Sequence, residues 1–310
     1  MKKHILSLLL IAGGCLPLAA QYTIYPVPQQ MTAVDGSASF SGEVCLVCDD
    51  QIDVATRQRA RQVLEEHGLK ANDADGAQAC TSVIYLKVDP SVAVSGKYDA
   101  HHLRLEAQSN GMASLTITGQ HTDATFMGLA SLEQMLDAVG TTALPCVDIS
   151  DYADQQQRGL VEGYYGYPYS QNVKKDLMRF MMRMKMNTYL YGAKSDPYHS
   201  EYWGKPYPQT VTEEQEQNGW LSEDMMRDVC ETSAATKVNF IWAIHPGNNF
   251  LYSNTVIDDI MGKFEKMHAL GVRQFGVFVD DVSVPSSDAD LQLNAQRLAL
   301  LQERIEQKWN

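Results

Sequence analysis

The sequence predicts an α/β protein in two parts: a small α+β domain, then the first half of a (β/α)8 barrel, four βα units and incomplete. Three observations carry this reading. Residues 22 to about 150 mix short alternating strands with helices. From about residue 158 the pattern becomes strand, loop, helix, repeated four times. The ends of those later strands carry polar and aromatic groups, as the C-terminal face of a barrel does.

In the first part, "YTIYPVPQQM" holds two prolines and suits an edge strand. "EVCLVCD" follows as a strand. From Asp53 to Gly68 apolar residues recur at helical spacing, and Gly68 is a plausible C-cap. "SVIYLKV" reads as a strand. "HHLRLEA" and "ASLTITG" alternate with period two around Asn110-Gly111, a hairpin signal. "TDATFMGLASLEQMLDAV" is an amphipathic helix, with Thr122 or Asp123 available as its N-cap. His101-His102 reads as an exposed strand pair.

In the second part, the strands are "RGLVEG", "NTYLYG", "VNFIWAIHPG" and "VRQFGVFVDD". The helices between and after them are "SQNVKKDLMRFMMRMKM", with Ser170 as N-cap, "SEDMMRDVCETSAATK", "NTVIDDIMGKFEKMHALG" and "DADLQLNAQRLALLQERIEQKWN". A loop rich in Tyr, Pro and Gly runs from the second strand to about residue 219. The methionines at 178, 181, 182, 184 and 186 read as helix core. No GxGxxG or P-loop follows any strand, which disfavours a doubly wound nucleotide fold. A full barrel takes about 250 residues, and roughly 150 follow residue 158, so the barrel is expected to stop after its fourth unit.

Residues 1–20 read as a secretory signal peptide: Lys2 and Lys3, an apolar run from Ile5 to Ala12, then small residues at Ala19 and Ala20. The domains expected after it are 21–150 and 151–310. The protein is therefore expected to be exported, periplasmic or extracellular. Cys15 is a poor lipid-attachment site, because Ala12 stands where a larger aliphatic residue is preferred. No segment is apolar enough to span a bilayer. A net charge of -13 argues against nucleic-acid partners. "CLVC" at 45–48 lies in a strand-like run without clustered His, so buried thiols or one disulfide is expected rather than zinc or redox chemistry. No metal and no cofactor is expected.

The four strand ends carry the chemistry. After the first come Glu162, Gly163, Tyr164, Tyr165 and Gly166. After the second come Lys194, Asp196, Tyr198, His199 and Trp203. His245 to Gly247 follow the third, and Asp280 and Asp281 the fourth. In a barrel these converge on one rim. Aromatic faces stack on the C–H faces of sugars, and a lysine can hold a hydroxyl or carbonyl oxygen. The aromatic stretch 198–207 reads equally well as loop packing or sugar contact. Two carboxylates are the minimum equipment for hydrolysing a glycosidic bond, but flanking carboxylates stand 5 Å or more apart in the ordinary arrangement. Adjacent aspartates suit substrate assistance instead, in which a 2-acetamido group supplies the nucleophile. One aspartate then polarises the acetamido group. The other, its pKa raised by its neighbour and by burial, protonates the leaving oxygen.

"RGLVEGYYGYPYS", "MKMNTYLYGAKSDPYHS", "WAIHPG" and "FGVFVDDV" together resemble glycoside hydrolase family 84, retaining β-N-acetylglucosaminidases that include O-GlcNAcases. Residues 22–150 more loosely resemble the small α/β domain that precedes the barrel in bacterial members. The resemblance implies a substrate carrying β-linked N-acetylglucosamine, on a glycan or glycoprotein, and an oxazoline intermediate. It implies that Asp280 polarises the acetamido group and that Asp281 is general acid, then base. It implies that Gly163 and Lys194 bind substrate, with Tyr164 and His245 beside them. It also implies partner residues from later barrel strands, so an inactive or carbohydrate-binding fragment is the alternative. A different sugar hydrolysed by the same acid pair is a third reading.

Overall fold

The computed structural model describes residues 22–73, 80–283 and 285–309. The proposed signal peptide lies outside them.

The first unit is one seven-stranded mixed sheet with two helices. Its strands are β1 (Gln30–Ser39), β2 (Glu43–Cys48), β3 (Lys70–Asp73), β4 (Ser82–Val88), β5 (Tyr98–Ala107), β6 (Ala113–Gly119) and β7 (Ala143–Ala153), in the order β1-β7-β5-β6-β4-β2-β3. The β1, β7, β5 and β6 neighbours pair antiparallel, and β6, β4, β2 and β3 pair parallel. Helices α1 (Val54–Glu66) and α2 (Thr122–Val139) pack against each other, and α2 lies on β5 and β6. Alternation along β5 and β6 buries Leu103, Leu105, Leu115 and Ile117 in one apolar core with Leu129, Leu132 and Met135 of α2. The hairpin forms at Asn110-Gly111, where Gly111 takes φ +78°, a conformation that costs glycine nothing.

Several expectations need correction here. The two-proline segment is not the edge strand: that strand begins at Gln30, beyond both prolines, which have no N–H to give a ladder. The N-cap of α2 is His121, whose side chain accepts from the Ala124 N–H, rather than Thr122 or Asp123. His101 is buried, not exposed, because the β5 pairing turns it under α2 beside Gly128. The strand β7 went unread because Pro145 and the polar "DISDYA" break the apolar alternation. The expectation of buried thiols or one disulfide needs no correction: Cys45 bonds Cys80, and Cys48, three residues along the strand, faces the opposite way.

The second unit is a four-stranded parallel sheet: β8 (Gly159–Glu162), β9 (Thr188–Tyr191), β10 (Asn239–Ile244) and β11 (Gln274–Val277), in sequential order. Sequential winding, with no reversal of strand order, is what a barrel does and a doubly wound sheet does not. The intervening helices are α3 (Gln171–Arg183), α4 (Glu213–Gln217), α5 (Glu223–Thr236), α6 (Asn249–Tyr252) and α7 (Val256–Ala269), and α8 (Asp288–Trp309) follows β11. Ser170 and Ser222 cap α3 and α5 through their hydroxyls. Met178 and Met181 of α3 are fully buried and Met182 nearly so, while Met184 and Met186 beyond the helix are half-buried. Along α7, Val256, Ile260, Phe264 and Met267 recur at helical spacing and face the core, which is centred on Trp242 and Tyr191. Burying each such side chain contributes roughly 1.5–3 kcal/mol before entropy is counted.

Charged side chains tie the two units together. Arg183 donates to Glu133 and Asp137, Lys185 to Asp151, and Arg158 to Asp99. Lys237, in the left-handed conformation at the end of α5, reaches both Asp53 at the N-cap of α1 and Asp123 in the first turn of α2. Cavities of about 270 and 320 Å³ lie along this junction, beneath the N-terminal ends of the parallel strands.

Candidate active site

Parallel register places Glu162, Tyr191, Trp242 and Phe275 at the same level of the sheet, with Ile244 and Val277 paired two residues further on. The segments that follow them therefore emerge side by side at its C-terminal edge. Lys194 leaves the end of β9 with its side chain only 7% exposed, and its ammonium donates to Asp280 Oδ2. The same nitrogen stands 3.5 Å from Asp281 Oδ2. Two like charges are thus held together by one cation between them, which removes much of the repulsion that their adjacency implies.

Backbone conformation aims the pair. After Val277 the strand ends, and Asp281 takes φ +56°. A left-handed residue interrupts strand alternation, so the two neighbouring carboxylates reach the same lysine instead of opposite faces. His245 Nε2 donates to the Asp280 carbonyl at 2.8 Å. Its own N–H donates to the His199 carbonyl at 2.9 Å. His199 is fully buried and its Nδ1 donates to the Ala243 carbonyl. A carbonyl partner requires the proton on Nδ1, and burial lowers the His199 pKa, which disfavours a second proton on the ring.

The pKa expectation for the acid pair is reversed in the free protein. The hydrogen bond from Lys194, and its charge, hold Asp280 below the usual carboxylate range. Asp281 is also lowered, first by the Tyr165 hydroxyl, which donates at 2.6 Å, then by the Lys194 charge. Repulsion and burial lose because the Asp281 side chain is 65% exposed and has two donors within reach. Burial works against the Lys194 charge, but the Asp280 hydrogen bond prevails and raises its pKa.

Gly163 stands where a Cβ would sit 3.2 Å from Val161 and 3.4 Å from Phe278, a close fit of the loop on the sheet end. Tyr164 packs edge-on against Tyr169, with ring centroids 5.8 Å apart, and burial pushes its hydroxyl up to about 12. It is Tyr165, and not Tyr164, that touches the acid pair. Lys194, His245, Asp280 and Asp281 come together; Tyr164 turns to the side. The sequence names the "YY" pair but offers no signal for which tyrosine faces Asp281. The stretch 198–207 resolves as loop packing at Tyr207, which is buried and shares Asp196 with Tyr191, at 2.5 and 2.6 Å.

Beneath the rim lies a support of which sequence reasoning named Glu162 but not its partner Lys174. Glu162 is fully buried, accepts from the Tyr189 hydroxyl at 2.5 Å and from the Tyr169 N–H at 2.7 Å, and faces Lys174 at 3.3 Å. Lys174 in turn donates to the Tyr169 carbonyl. Desolvation raises the Glu162 pKa and lowers that of Lys174. A charged residue ending an apolar strand-like run was the available signal. Satisfying it fixes both ends of the 162–169 loop.

Comparisons with known proteins bear on this geometry. Residues 158–310 match the family model described as beta-N-acetylglucosaminidase, and residues 21–152 the model of glycosyl hydrolase family 20, domain 2. The chain is similar to Protein O-GlcNAcase of Mus musculus, 29% identical over 169 residues, covering 52% of this chain and 17% of that protein. It is similar to Protein O-GlcNAcase of Rattus norvegicus, 30% identical over 133 residues, covering 43% and 13%. The solved structure of CpGH84D superposes with TM-score 0.77 at 28% identity, covering 93% of this chain and 48% of that one. That of CpGH84B gives TM-score 0.71 at 24% identity with the same coverage, a likeness of fold. The chain thus spans less than a fifth of these curated relatives and about half of the solved ones.

Proposed function

The chain belongs to the O-GlcNAcase-like glycosidases of glycoside hydrolase family 84, and on that premise we propose that it hydrolyses β-linked N-acetylglucosamine with retention, by substrate assistance. The observation that carries the reading is Lys194 bridging Asp280 and Asp281. One cation holding two adjacent carboxylates suits a reaction in which neither carboxylate is the nucleophile. The acetamido oxygen attacks C1 while Asp280 accepts the acetamido N–H. Asp281 gives its proton to the glycosidic oxygen, the C1–O bond breaks, and an oxazoline forms. Asp281 then takes a proton from water, whose oxygen attacks C1, and Asp280 returns the proton to the nitrogen as the oxazoline reopens. Because Asp281 is ionised and exposed in the free protein, its protonated form depends on the bound sugar, which removes water and raises the carboxyl pKa.

Residues 151–310 form the catalytic part of this proposal, as the first half of a barrel, and residues 21–150 a non-catalytic domain. Export is part of the proposal too; the Cys45–Cys80 disulfide supports an oxidising compartment. The test is hydrolysis of an aryl β-N-acetylglucosaminide against the matching aryl β-glucoside, which lacks the acetamido group. Turnover of the first alone is expected, and equal rates would sink the mechanism. The 65% exposure of Asp281 favours one second reading, sugar binding without turnover; calorimetric binding of N-acetylglucosamine by a catalytically silent chain would support it.

A further inference from the structure

We propose that Tyr167 is an aglycone-side platform that selects substrates in which the N-acetylglucosamine is linked to another sugar. This deepens the glycosidase reading and rests on it. The loop 163–169, "GYYGYPY", holds four tyrosines and no charged residue. Tyr165 and Tyr167 are 71% and 74% exposed, and Tyr164 and Tyr169 are also exposed. Single exposed apolar side chains need no explanation, but a cluster beside an acid pair does.

The loop is pinned, so Tyr167 is displayed rather than loose. The Tyr164 carbonyl accepts from Lys194 N, and the Gly166 N–H donates to Ser195 Oγ at 3.0 Å. The Tyr169 N–H and carbonyl are held by Glu162 and Lys174. Pro168 is buried against Gly219. Between these anchors the Tyr167 side chain makes no hydrogen bond or ring contact among the described residues. The anchored backbone spares the loop most of the ordering cost of binding.

Position assigns the side of the bond. Tyr165 holds Asp281, the residue that protonates the leaving oxygen, so its loop borders the departing group. Consecutive Cα atoms are about 3.8 Å apart, which puts Tyr167 within about 7 Å of Tyr165 along the chain. Chemistry assigns the class. Tyr165 is engaged at its hydroxyl by Asp281 and has Lys194 5.4 Å from its ring centroid, whereas the Tyr167 ring carries neither kind of contact among the described residues. Backbone groups of the loop at Tyr164, Gly166 and Tyr169 are already engaged, so an extended peptide finds few ladder partners there. A pyranose needs none, because its C–H face stacks on the tyrosine ring.

The experiment is calorimetric titration of the full chain with three probes: methyl β-N-acetylglucosaminide, a β-N-acetylglucosaminyl-galactose disaccharide, and a short peptide bearing N-acetylglucosamine on serine. Wild type is expected to favour the disaccharide over the methyl glycoside about three- to tenfold. In Tyr167→Ala that ratio should fall to about one, and in Tyr167→Phe it should persist, since the face remains. A wild-type ratio retained in Tyr167→Ala overturns the platform while leaving the glycosidase reading intact. An equal Tyr167-dependent gain for the peptide overturns the choice of a sugar aglycone. Failure to bind any of the three probes removes the glycosidase reading and the platform together.

Discussion

Tyr165 donates its hydroxyl to Asp281 across 116 residues of sequence, at 2.6 Å, and so ties the loop after the first parallel strand to the carboxylate after the fourth. The contact stabilises the ionised form of Asp281. Removing the donor in Tyr165→Phe should therefore move the Asp281 titration upward, toward the ordinary carboxylate value. Carboxyl-carbon NMR of labelled aspartate reads this directly. An unchanged midpoint would mean that Lys194 alone sets the charge state.

Asp280 and Asp281 should differ in their dependence on the leaving group. Loss of a general acid costs about 10²- to 10⁴-fold where the departing oxygen needs a proton. Asp281→Ala should therefore cripple hydrolysis of alkyl or sugar glycosides and spare aryl substrates with acidic phenols. Asp280→Asn should harm both classes, since the proposed mechanism makes the acetamido group the nucleophile in each. Kinetics on a leaving-group series checks this; equal losses in Asp281→Ala would remove its acid role.

Gly192 is a packing requirement under the site. A Cβ there would stand 2.4 Å from Phe278 and 2.9 Å from His199. Phe278 lies just before the acid pair, and His199 supports His245. Gly192→Ala should cost about 1–3 kcal/mol through overpacking, visible as a lowered denaturation midpoint. The same push on Phe278 should weaken turnover beyond the stability loss.

Lys263 gives stability a pH signature. It is buried on α7, donates to the Lys205 carbonyl at 2.6 Å, and faces Tyr198, Tyr207 and Trp242, with Asp196 and Lys266 as the nearby charges. Burial lowers its pKa to about 7 from an ordinary 10.5. Between those values the unfolded chain binds a proton that the folded chain does not, so folding gains stability as pH rises. The slope is at most about 1.4 kcal/mol per pH unit for one proton. Lys263→Met should flatten denaturant-derived stability over that window relative to wild type. Parallel pH profiles of the two proteins would exclude Lys263 as the source.

The sequence alone determined the alternation of elements and the order of the motifs. Period-two runs such as "HHLRLEA" and "ASLTITG", the helical spacing of methionines in α3, and Ser170 before its helix are local signals, written within a few residues of what they control. It also placed Lys194, His245, Asp280 and Asp281 at strand ends, because parallel βα units bring such ends to one edge. Whatever depends on side-chain direction or distant pairing was invisible. The strand β7 breaks its own alternation and exists because β1 and β5 pair with it on either side. Cys45 found Cys80 and not its near neighbour because a strand turns them to opposite faces. His121 displaced Thr122 and Asp123 as a cap by one residue of phase.

At the site, tertiary structure decided the charge states. Adjacency in sequence argued for two repelling carboxylates, one of them kept protonated. The fold inserts Lys194 between them and brings Tyr165 onto Asp281, and the exposed pair is ionised in the free protein. The physical reason is that a pKa is set by what surrounds a carboxyl in space: its solvent, its donors and its neighbouring charges. Sequence names the carboxylates, but here the donors arrive from segments 86 and 116 residues away.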